Sequence, residues 1–428
     1  TVWTPHTRAW QVTEWKAAVA RIQAANPQIN IVLKTGIDMA TSLKAIVANK
    51  SDGPDISVTN GNGNMGWFCA GGDGIWQKLN TMISSKRDGI NLKTTFKPSA
   101  NSATISGNIR CALPMPGTEV FAFFYNKDLL AKAGYTTPPS TTAELLEYSK
   151  KLTTFDKDGN ILTAGFVPKS GYYGWGMESM WLGQAFGARW YNADGSSAFG
   201  SDPRWAKMLT WQKKFIADVY GGGDFTKRTK ALTKFTASRG GEWGEKHDFI
   251  TGRVAMKMDA NWMATLYCTG DAWALADKCT KVNMGVTGFP TDASVTSTHG
   301  GSGVVGYPLA GISKTSKNVK GAWIVLKGLA TDTTLSFQYD KVGGAPSPLK
   351  SAAAKPSGLP SWYEPFYSIQ SNPKSVYHLL PNTGEHKDED LIATLMAAWQ
   401  DGAIDDLKGA LRDTAEKVDA IVARNQTD

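Results

Sequence analysis

The sequence predicts an α/β fold in which helices connect the strands of a parallel sheet. Apolar residues recur at helical spacing over residues 10–25, and apolar and polar residues then alternate over 29–33, which indicates a helix followed by a strand. A second helical pattern at 43–47 precedes a short apolar strand at 54–59. Strands and helices that alternate in this order are typical of a parallel sheet with helical crossovers.

The same alternation continues along the rest of the chain. The run Phe121–Tyr125 predicts a strand, and residues 141–144 form a capping box that begins a helix. Asp202 followed by Pro203 predicts another helix start, a strand is predicted at 254–258, and the end of the chain is predicted to be helical. No Pro- or Ser-rich linker divides the sequence, which favours lobes built from interleaved segments over separate domains in series.

Length and composition are those of ordinary globular proteins. The 428 residues correspond to two or three domains at roughly 100–200 residues per domain. Hydrophobic residues make up 42% and charged residues 20%, enough to form buried cores. No apolar run approaches the roughly 18–20 residues of a membrane-spanning helix. The chain begins directly with a predicted strand at Val2 and Trp3, so a leader was never present, was removed, or lies outside this sequence.

The net charge of +8 raises nucleic-acid binding as one class of function. Lysine and arginine are scattered, however, with acidic residues close by in most stretches. The densest basic run, residues 227–234, is too short for a footprint on a nucleic acid, which requires clustered positive charge. We therefore expect no nucleic-acid partner.

The four cysteines predict disulfides rather than a metal site. They are Cys69, Cys111, Cys268 and Cys279, with no CxxC pair and no histidine beside them, so a zinc site is disfavoured. Four cysteines allow three pairings; we favour Cys268–Cys279, which closes a short loop of small and polar residues, with Cys69–Cys111 as the remaining pair. Disulfides indicate an oxidising compartment. The alternative is four separate buried thiols.

Sixteen tryptophans is a high number for this length. Several stand among Gly, Asn and Ser rather than in periodic apolar segments: Trp67, Trp175, Trp243, Trp262 and Trp362. Indole faces pack against the C–H faces of sugar rings, while neighbouring polar side chains bond the hydroxyls. The pattern favours a carbohydrate ligand.

The motifs of nucleotide binding and of catalysis are weak or missing. Residues 61–66 and 301–306 both match G-x-G-x-x-G, but no helix follows the first and no strand frames the second. The sequence contains no G-x-S-x-G, no H-E-x-x-H and no P-loop, and its five histidines lie far apart. A glycosidase needs two facing carboxylates, and nothing in the sequence nominates a pair.

Several segments, in the same order along the chain, resemble the family 1 extracellular solute-binding proteins of ABC importers, to which maltose-binding protein also belongs. The most specific is YNKDLLAKAGY at 125–135, and the helix start at 139–146 follows it as in that family, with Thr142 in place of the usual tryptophan. Three further segments are similar to the family's pattern: 249–256, 300–323 and 343–346.

The resemblance implies a two-lobed periplasmic-binding-protein fold, or Venus flytrap, with a cleft between two α/β lobes and a hinge of several strands. Residues 1–115 with 262–310 are expected to form the N-terminal lobe, and residues 116–261 with 311–428 the C-terminal lobe. The expected hinge crossings lie near Leu113–Glu119, Lys257–Trp262 and Tyr307–Ile312. Ligand closes such lobes by hinge bending.

Ligands bind open α/β sheets beyond the carboxyl ends of the strands, and the loops there supply the candidate ligand-binding residues. The candidates in the first third of the chain are His6, Arg8, Asn60, Asn62, Trp67 and Glu119. Those further along are Tyr172, Tyr173, Trp175, Glu178, Asp259, Trp262, Gly301, Ser302, Trp362 and Tyr363. Glu119 stands where related sugar binders carry a ligand-contacting acid. For each residue the competing interpretation is a structural role such as core packing, a turn cap or solvent exposure.

The resemblance and the tryptophan pattern together imply the extracytoplasmic component of an ABC importer, which captures a carbohydrate and passes it unchanged to a membrane permease. We expect the carbohydrate to be an oligosaccharide. We expect a monomer without cofactor, metal or catalytic residue, lipid-anchored before processing or truncation. Two alternatives remain open. A secreted carbohydrate-active enzyme would need two carboxylates about 5–9.5 Å apart, with Glu119, Glu178 and Asp259 as the acids to test. A binder of a peptide, polyamine or metal chelate is the other.

Overall fold

The structure of the protein is a computed structural model. It describes residues 1–49, 52–61, 68–69, 74–106, 109–173, 177–220, 225–241, 244–270, 276, 278–352, 359–375 and 387–426.

Within the described residues, the strands are β1 (Val2–Thr4), β2 (Leu33–Thr35), β3 (Ile56–Val58), β4 (Ile105–Ser106), β5 (Ile109–Arg110), β6 (Ala112–Pro114), β7 (Glu119–Asn126), β8 (Thr154–Phe155), β9 (Ile161–Phe166), β10 (Val254–Ala260), β11 (Met284–Thr287), β12 (Val304–Gly306) and β13 (Leu309–Ile312). The helices are α1 (Ala9–Ala25), α2 (Met39–Val47), α3 (Asn80–Ile83), α4 (Leu92–Thr95), α5 (Pro98–Ser102), α6 (Lys127–Lys132), α7 (Thr142–Leu152), α8 (Met177–Phe186), α9 (Pro203–Val219), α10 (Phe225–Ala237), α11 (Asn261–Thr269), α12 (Thr296–His299), α13 (Val319–Thr331), α14 (Thr333–Gly343), α15 (Glu364–Ser371), α16 (Lys387–Gln400) and α17 (Leu407–Gln426), with a 3-10 turn at Ser361–Tyr363.

The first sheet has the strand order β2–β1–β3–β13–β6. Strand β1 pairs in parallel with β2 and β3 through the crossover helices α1 and α2, which confirms the α/β pattern predicted for the first 60 residues. The predicted strand at 29–33 begins later, at Leu33. The chain before it is held by the end of α1, because the Ile29 amide bonds the Asn26 carbonyl and the Ile31 amide bonds the Gln23 side chain.

The second sheet has the order β11–β7–β10–β9–β8, and β12 also pairs with β7. The long strand β7 is antiparallel to β10, β11 and β12, and β10 is parallel to β9. Both sheets are therefore mixed rather than purely parallel. The predicted capping box that begins α7 is present: Thr141 accepts from the Glu144 amide, and the Glu144 carboxylate accepts from the Thr141 amide.

The strand pairing differs from the predicted lobe boundaries. Strands β11 and β12 both pair with β7 in the second sheet, although residues 262–310 were expected in the N-terminal lobe. Strand β13 and helix α13 instead join the first sheet, β13 by pairing with β3 and β6 and α13 by packing on β13 and α1. The position of β13 in the first sheet depends on its pairing with β3, about 250 positions earlier in the sequence, and no local pattern encodes such a pairing. We propose boundaries at the β6–β7 and β12–β13 connections and a third beyond α14.

Helices cover both sheets and supply the two hydrophobic cores. On the first sheet α1 packs against α13 and α14, and Gly328 permits the close approach, since a Cβ there would lie 2.9 Å from the Ile22 side chain. On the second sheet α8 packs against α9 and α16. In the part of the chain that the structure describes, no helix is both long enough and apolar enough to cross a membrane.

The two predicted disulfides are formed. Cys69 pairs with Cys111, and Cys268 pairs with Cys279, so no described cysteine is a free thiol. The first bond closes a separation of 42 residues in the first sheet's core. The second joins Cys268, in the last turn of α11, to Cys279, 11 residues later.

Removing the long-range disulfide is expected to destabilise the protein more than removing the short one. Chain entropy predicts losses of about 4 kcal/mol for Cys69→Ser with Cys111→Ser and about 3 kcal/mol for Cys268→Ser with Cys279→Ser. Thermal unfolding of the two double variants beside the wild-type protein measures the order. A larger loss for the Cys268–Cys279 variant would contradict the argument from loop length.

Candidate ligand-binding cavity

A cavity opens beside the second sheet, where β10 ends and α11 begins. Its described lining residues come from β7, the turn before α8, α8 itself, the segment before β10, β10 and α11. They are Phe121, Tyr172, Tyr173, Met177, Trp181, Arg239, Gly240, His247, Asp248, Lys257, Asp259, Trp262 and Met263. We call this the Trp262 cavity.

Strand alternation places the polar groups of β10 in the Trp262 cavity. Lys257 and Asp259 are two residues apart and therefore share one face of the strand. The intervening residue Met258 and its neighbour Met256 point to the opposite, apolar side and are fully buried. Trp262 follows in the first turn of α11, half-buried, with its ring edge-on to Phe121 at 5.5 Å between centroids.

A buried polar network lies at the floor of the cavity. The Lys257 ammonium is 2.6 Å from Asp259 Oδ2 and donates to Tyr267 Oη at 2.6 Å, and the Tyr267 hydroxyl donates to the same carboxylate oxygen at 2.5 Å. The second carboxylate oxygen accepts from the Ala260 amide. Because every group has a partner, the network fixes the position of Asp259 at the cavity surface.

His247 completes the network as a neutral ring. Burial, and then the nearby charges of Lys257 and Arg239, lower its pKa to about 2. Its Nδ1 accepts from the Phe249 amide, and its Nε2 lies 3.1 Å from the Lys257 ammonium and 3.3 Å from Tyr267 Oη. The ring therefore adds no charge to the cavity at neutral pH.

Three aromatic side chains, Tyr172, Tyr173 and Trp181, form the side of the cavity, which we call the aromatic wall. The rings of Tyr172 and Tyr173 meet edge to face at 4.8 Å, and those of Tyr173 and Trp181 at 5.0 Å. Tyr172 donates to Asp248 at 2.6 Å, and burial raises the pKa of both tyrosines well above the usual range. Rigid rings with a polar edge suit a ligand that has both apolar faces and hydroxyls.

Glu178 lies behind the aromatic wall. Its carboxylate is buried, and Oε1 accepts from the Tyr173 amide at 2.7 Å. Burial raises the pKa of Glu178 to about 7. The residue does not line the Trp262 cavity, so it positions the turn that carries Tyr172 and Tyr173.

Glu178→Gln is expected to remove a pH dependence of stability. The folded-state pKa of about 7 lies above the unfolded value of about 4.3, so the stability that the protonated carboxyl contributes is fully present below pH 4 and is lost as pH rises through 7. Urea unfolding should show the wild type losing about 2 kcal/mol relative to Glu178→Gln between pH 5 and pH 8. The exposed Glu416→Gln is the control. A stability difference between the wild type and Glu178→Gln that stays constant with pH would contradict a raised pKa of Glu178 in the folded protein.

Of the predicted site residues, four line the Trp262 cavity: Tyr172, Tyr173, Asp259 and Trp262. Sequence reasoning missed Lys257 and Trp181. The first could have been found as a lone lysine in an apolar strand, in phase with Asp259. The second stands in a fully buried helix, α8, and carries no sequence signal that separates it from core residues.

Glu119, at the start of β7, lies against the loop that follows β3. The Glu119 carboxylate presses on the loop after β3, because a Cβ on Gly61 would lie 2.6 Å from its Oε2. Asn60 is exposed in this loop. Glu119 and Phe121 share one face of β7, so the loop of the first sheet approaches the same side of the strand as the Trp262 cavity.

The structure places the remaining described candidates away from the cavity lining. His6 is buried between the Trp15 and Tyr339 rings, and burial lowers its pKa to about 4. Arg8 precedes the first turn of α1. Gly301 is exposed at a φ of +71°, and the Ser302 hydroxyl accepts from the Gln184 side chain. The Trp362 indole donates to the Ala276 carbonyl, and Tyr363 is fully buried.

Three predicted residues, Asn62, Trp67 and Trp175, lie outside the described residues. Among the residues that are described, no group of three or more His, Cys, Asp or Glu side chains is placed to hold a metal ion.

Known proteins share this architecture over almost their full length. The protein CpMnBP1, solved with mannotriose bound, superposes with a TM-score of 0.72 at 20% identity, covering 97% of this chain and 98% of that one. A Thermotoga lettingae ABC transporter solute-binding protein bound with α-D-tagatose gives 0.69 at 19%, covering 98% of each chain. The sugar-binding protein MalE of Xanthomonas citri gives 0.70 at 16%, covering 99% and 98%. At these identities the likeness establishes the two-lobed fold.

The sequence itself carries the family assignment. Residues 9–333, which make up most of the chain, match the family of bacterial extracellular solute-binding proteins. The members of this family are binding proteins. The match begins in α1 and ends at α14, so it includes both sheets and the Trp262 cavity. This chain belongs to the bacterial extracellular solute-binding proteins.

Proposed function

We propose that this protein captures a carbohydrate, which we expect to be an oligosaccharide, outside the cytoplasm and delivers it unchanged to the membrane permease of an ABC importer. The observation that carries the proposal is the Trp262 cavity, in which aromatic faces stand beside a fixed carboxylate. Support also comes from similar solved structures, which have mannotriose, mannobiose, tagatose or maltotetraose bound.

The cavity offers the two kinds of contact that a sugar ring requires. The Trp262 indole, nearly perpendicular to the Phe121 ring, would offer an aromatic face to the apolar C–H side of a sugar ring. Asp259, held by Lys257 and Tyr267, retains lone pairs that accept from hydroxyl groups. Hydroxyls bonded to a desolvated carboxylate make binding specific, because an analogue without them leaves the carboxylate unpaired.

The test is a titration of the purified protein with mono- and oligosaccharides, including mannobiose, mannotriose, maltose, maltotetraose and tagatose. Tryptophan fluorescence and melting temperature follow binding, and chromatography of the mixtures follows the sugar. We expect saturable fluorescence change and a raised melting temperature, with the sugar recovered intact. Binding of none of these sugars would contradict carbohydrate capture.

Formation of a product in the same mixtures would instead favour a carbohydrate-active enzyme. Two of the three acids nominated for that reaction, Glu178 and Asp259, occupy unpromising positions. Glu178 accepts from the Tyr173 amide behind the aromatic wall, and Asp259 is paired with Lys257. The other carboxylate in the cavity lining, Asp248, accepts from Tyr172 and Arg253. A pair of opposed carboxylates, one protonated, is what hydrolysis would need.

The remaining parts of the proposal concern the protein's state in the cell. We expect a monomer that is attached to lipid before processing, and whose closed form is recognised by the permease. Sedimentation of the purified protein tests the first expectation, and detergent phase partitioning of the protein extracted from its native cells tests the second.

A further inference from the structure

Lys257 is an unusual residue for the middle of a sheet. It stands in β10 among Met256, Met258 and other apolar side chains, and its own side chain is only 4% exposed. An ammonium group is removed from water at this depth only when it is well paired. Its partners are the carboxylate of Asp259 and the hydroxyl of Tyr267, both at 2.6 Å, and His247 Nε2 at 3.1 Å. Its charge also lies 5.4 Å from the centre of the Tyr173 ring.

The charged groups around the cavity are arranged as pairs. Lys257 pairs with Asp259 at the floor, and Arg253 pairs with Asp248 at 2.6 Å beside the aromatic wall. His247 is neutral, as described above. Arg239 stands at the exposed mouth and donates to the Tyr172 carbonyl. At the floor, where a ligand loses its water, the local charge therefore sums to zero.

We propose that the Lys257–Asp259 pair makes the cavity select uncharged sugars and reject both amino sugars and uronic acids. The inference rests on the proposed function. A hydroxyl can donate to Asp259, whose negative charge Lys257 already balances, so a neutral ring binds without adding a net charge to the cavity floor. A ligand ammonium would face Lys257 and a ligand carboxylate would face Asp259, and neither finds an unpaired opposite charge to offset its lost hydration.

Replacing Lys257 and replacing Asp259 should each shift the selectivity, and the two shifts should favour ligands of opposite charge. Lys257→Met leaves a carboxylate without its cation, so the affinity for amino sugars should rise about tenfold relative to neutral sugars. Asp259→Asn leaves an ammonium without its anion, so the affinity for uronic acids should rise about tenfold relative to neutral sugars. The double variant Lys257→Met with Asp259→Asn should return to a preference for neutral sugars.

The experiment measures these ratios by titration calorimetry at pH 7 with three matched sets. They are glucose, glucosamine and glucuronic acid; mannose, mannosamine and mannuronic acid; and galactose, galactosamine and galacturonic acid. The control variants are Lys150→Met and Asp218→Asn, which break an exposed ion pair on the same half of the molecule. Lys257→Arg keeps the charge and should keep the selectivity. Melting curves verify that each variant is folded.

Opposite shifts in the two single variants, absent from the controls, would support the inference. Equal losses of affinity for neutral and charged sugars would overturn it, because a purely structural role of the pair lowers all affinities together. A wild-type protein that binds charged and neutral members equally, or binds none of the nine, would also overturn it. If the oligosaccharide titration fails as well, it is the proposed function that is wrong.

Discussion

Trp262→Ala is expected to weaken sugar binding by about 30- to 100-fold while leaving the protein folded. The side chain is half-buried, so its removal costs little core packing, but it takes away the aromatic face that stands beside Asp259. Aromatic anchors at the centre of a binding site typically carry losses of this size. Fluorescence titration of the remaining tryptophans, or calorimetry, measures the change in Kd.

Trp399→Ala is the matched control. This tryptophan is also half-buried, donates to the Leu209 carbonyl and lies under Lys213, on the far helix α16. Its loss should lower the melting temperature without changing the affinity for sugar. Equal affinities of Trp262→Ala and the wild-type protein would show that the ligand binds elsewhere.

Asn261→Leu is expected to lower the free energy of unfolding by about 3–5 kcal/mol. The buried Asn261 amide accepts from the Val120 amide at 2.9 Å and donates to the carbonyls of Thr118 and Gly344. It therefore joins three chain segments where the sheets connect. Leucine has a similar volume but leaves these backbone groups buried without partners, at about 1–3 kcal/mol each.

Urea unfolding of Asn261→Leu beside Asn283→Leu provides the comparison. Asn283 is exposed, and its side-chain amide donates to the Asp128 carboxylate. Its replacement should therefore cost less than about 1 kcal/mol of unfolding free energy. Losses of the same size in both variants would mean that Asn261 does not hold the connection together.

Local chemistry made much of the fold predictable. The strand expected at Phe121–Tyr125 is the central part of β7, and Asp202 with Pro203 begins α9 as the capping rule predicts. The short loop between Cys268 and Cys279 favoured that disulfide, and Cys69–Cys111 was the pair that remained. What local chemistry does not contain is the partner of each strand. Strands β12 and β13 are separated by two residues, yet they pair in different sheets, and that choice depends on surfaces built by distant segments.

The site was predictable where a residue type is unusual in its local setting. Trp262 and Asp259 stand out next to a strand, and both line the cavity. His6 looked equally exposed after the first strand, but it packs against Tyr339, 333 positions away in sequence, and long-range packing of this kind leaves no local signal. Lys257 was overlooked because its strand is otherwise apolar and its partners become visible only in three dimensions.

The crystal structure of the protein with the tightest-binding sugar of the titration tests the central claim most directly. We predict one sugar ring against the face of Trp262, with a hydroxyl donating to Asp259 and the aromatic wall of Tyr172, Tyr173 and Trp181 beside it. A sugar bound at any other place, with no part of it in the Trp262 cavity, would contradict the account of how this protein holds its ligand.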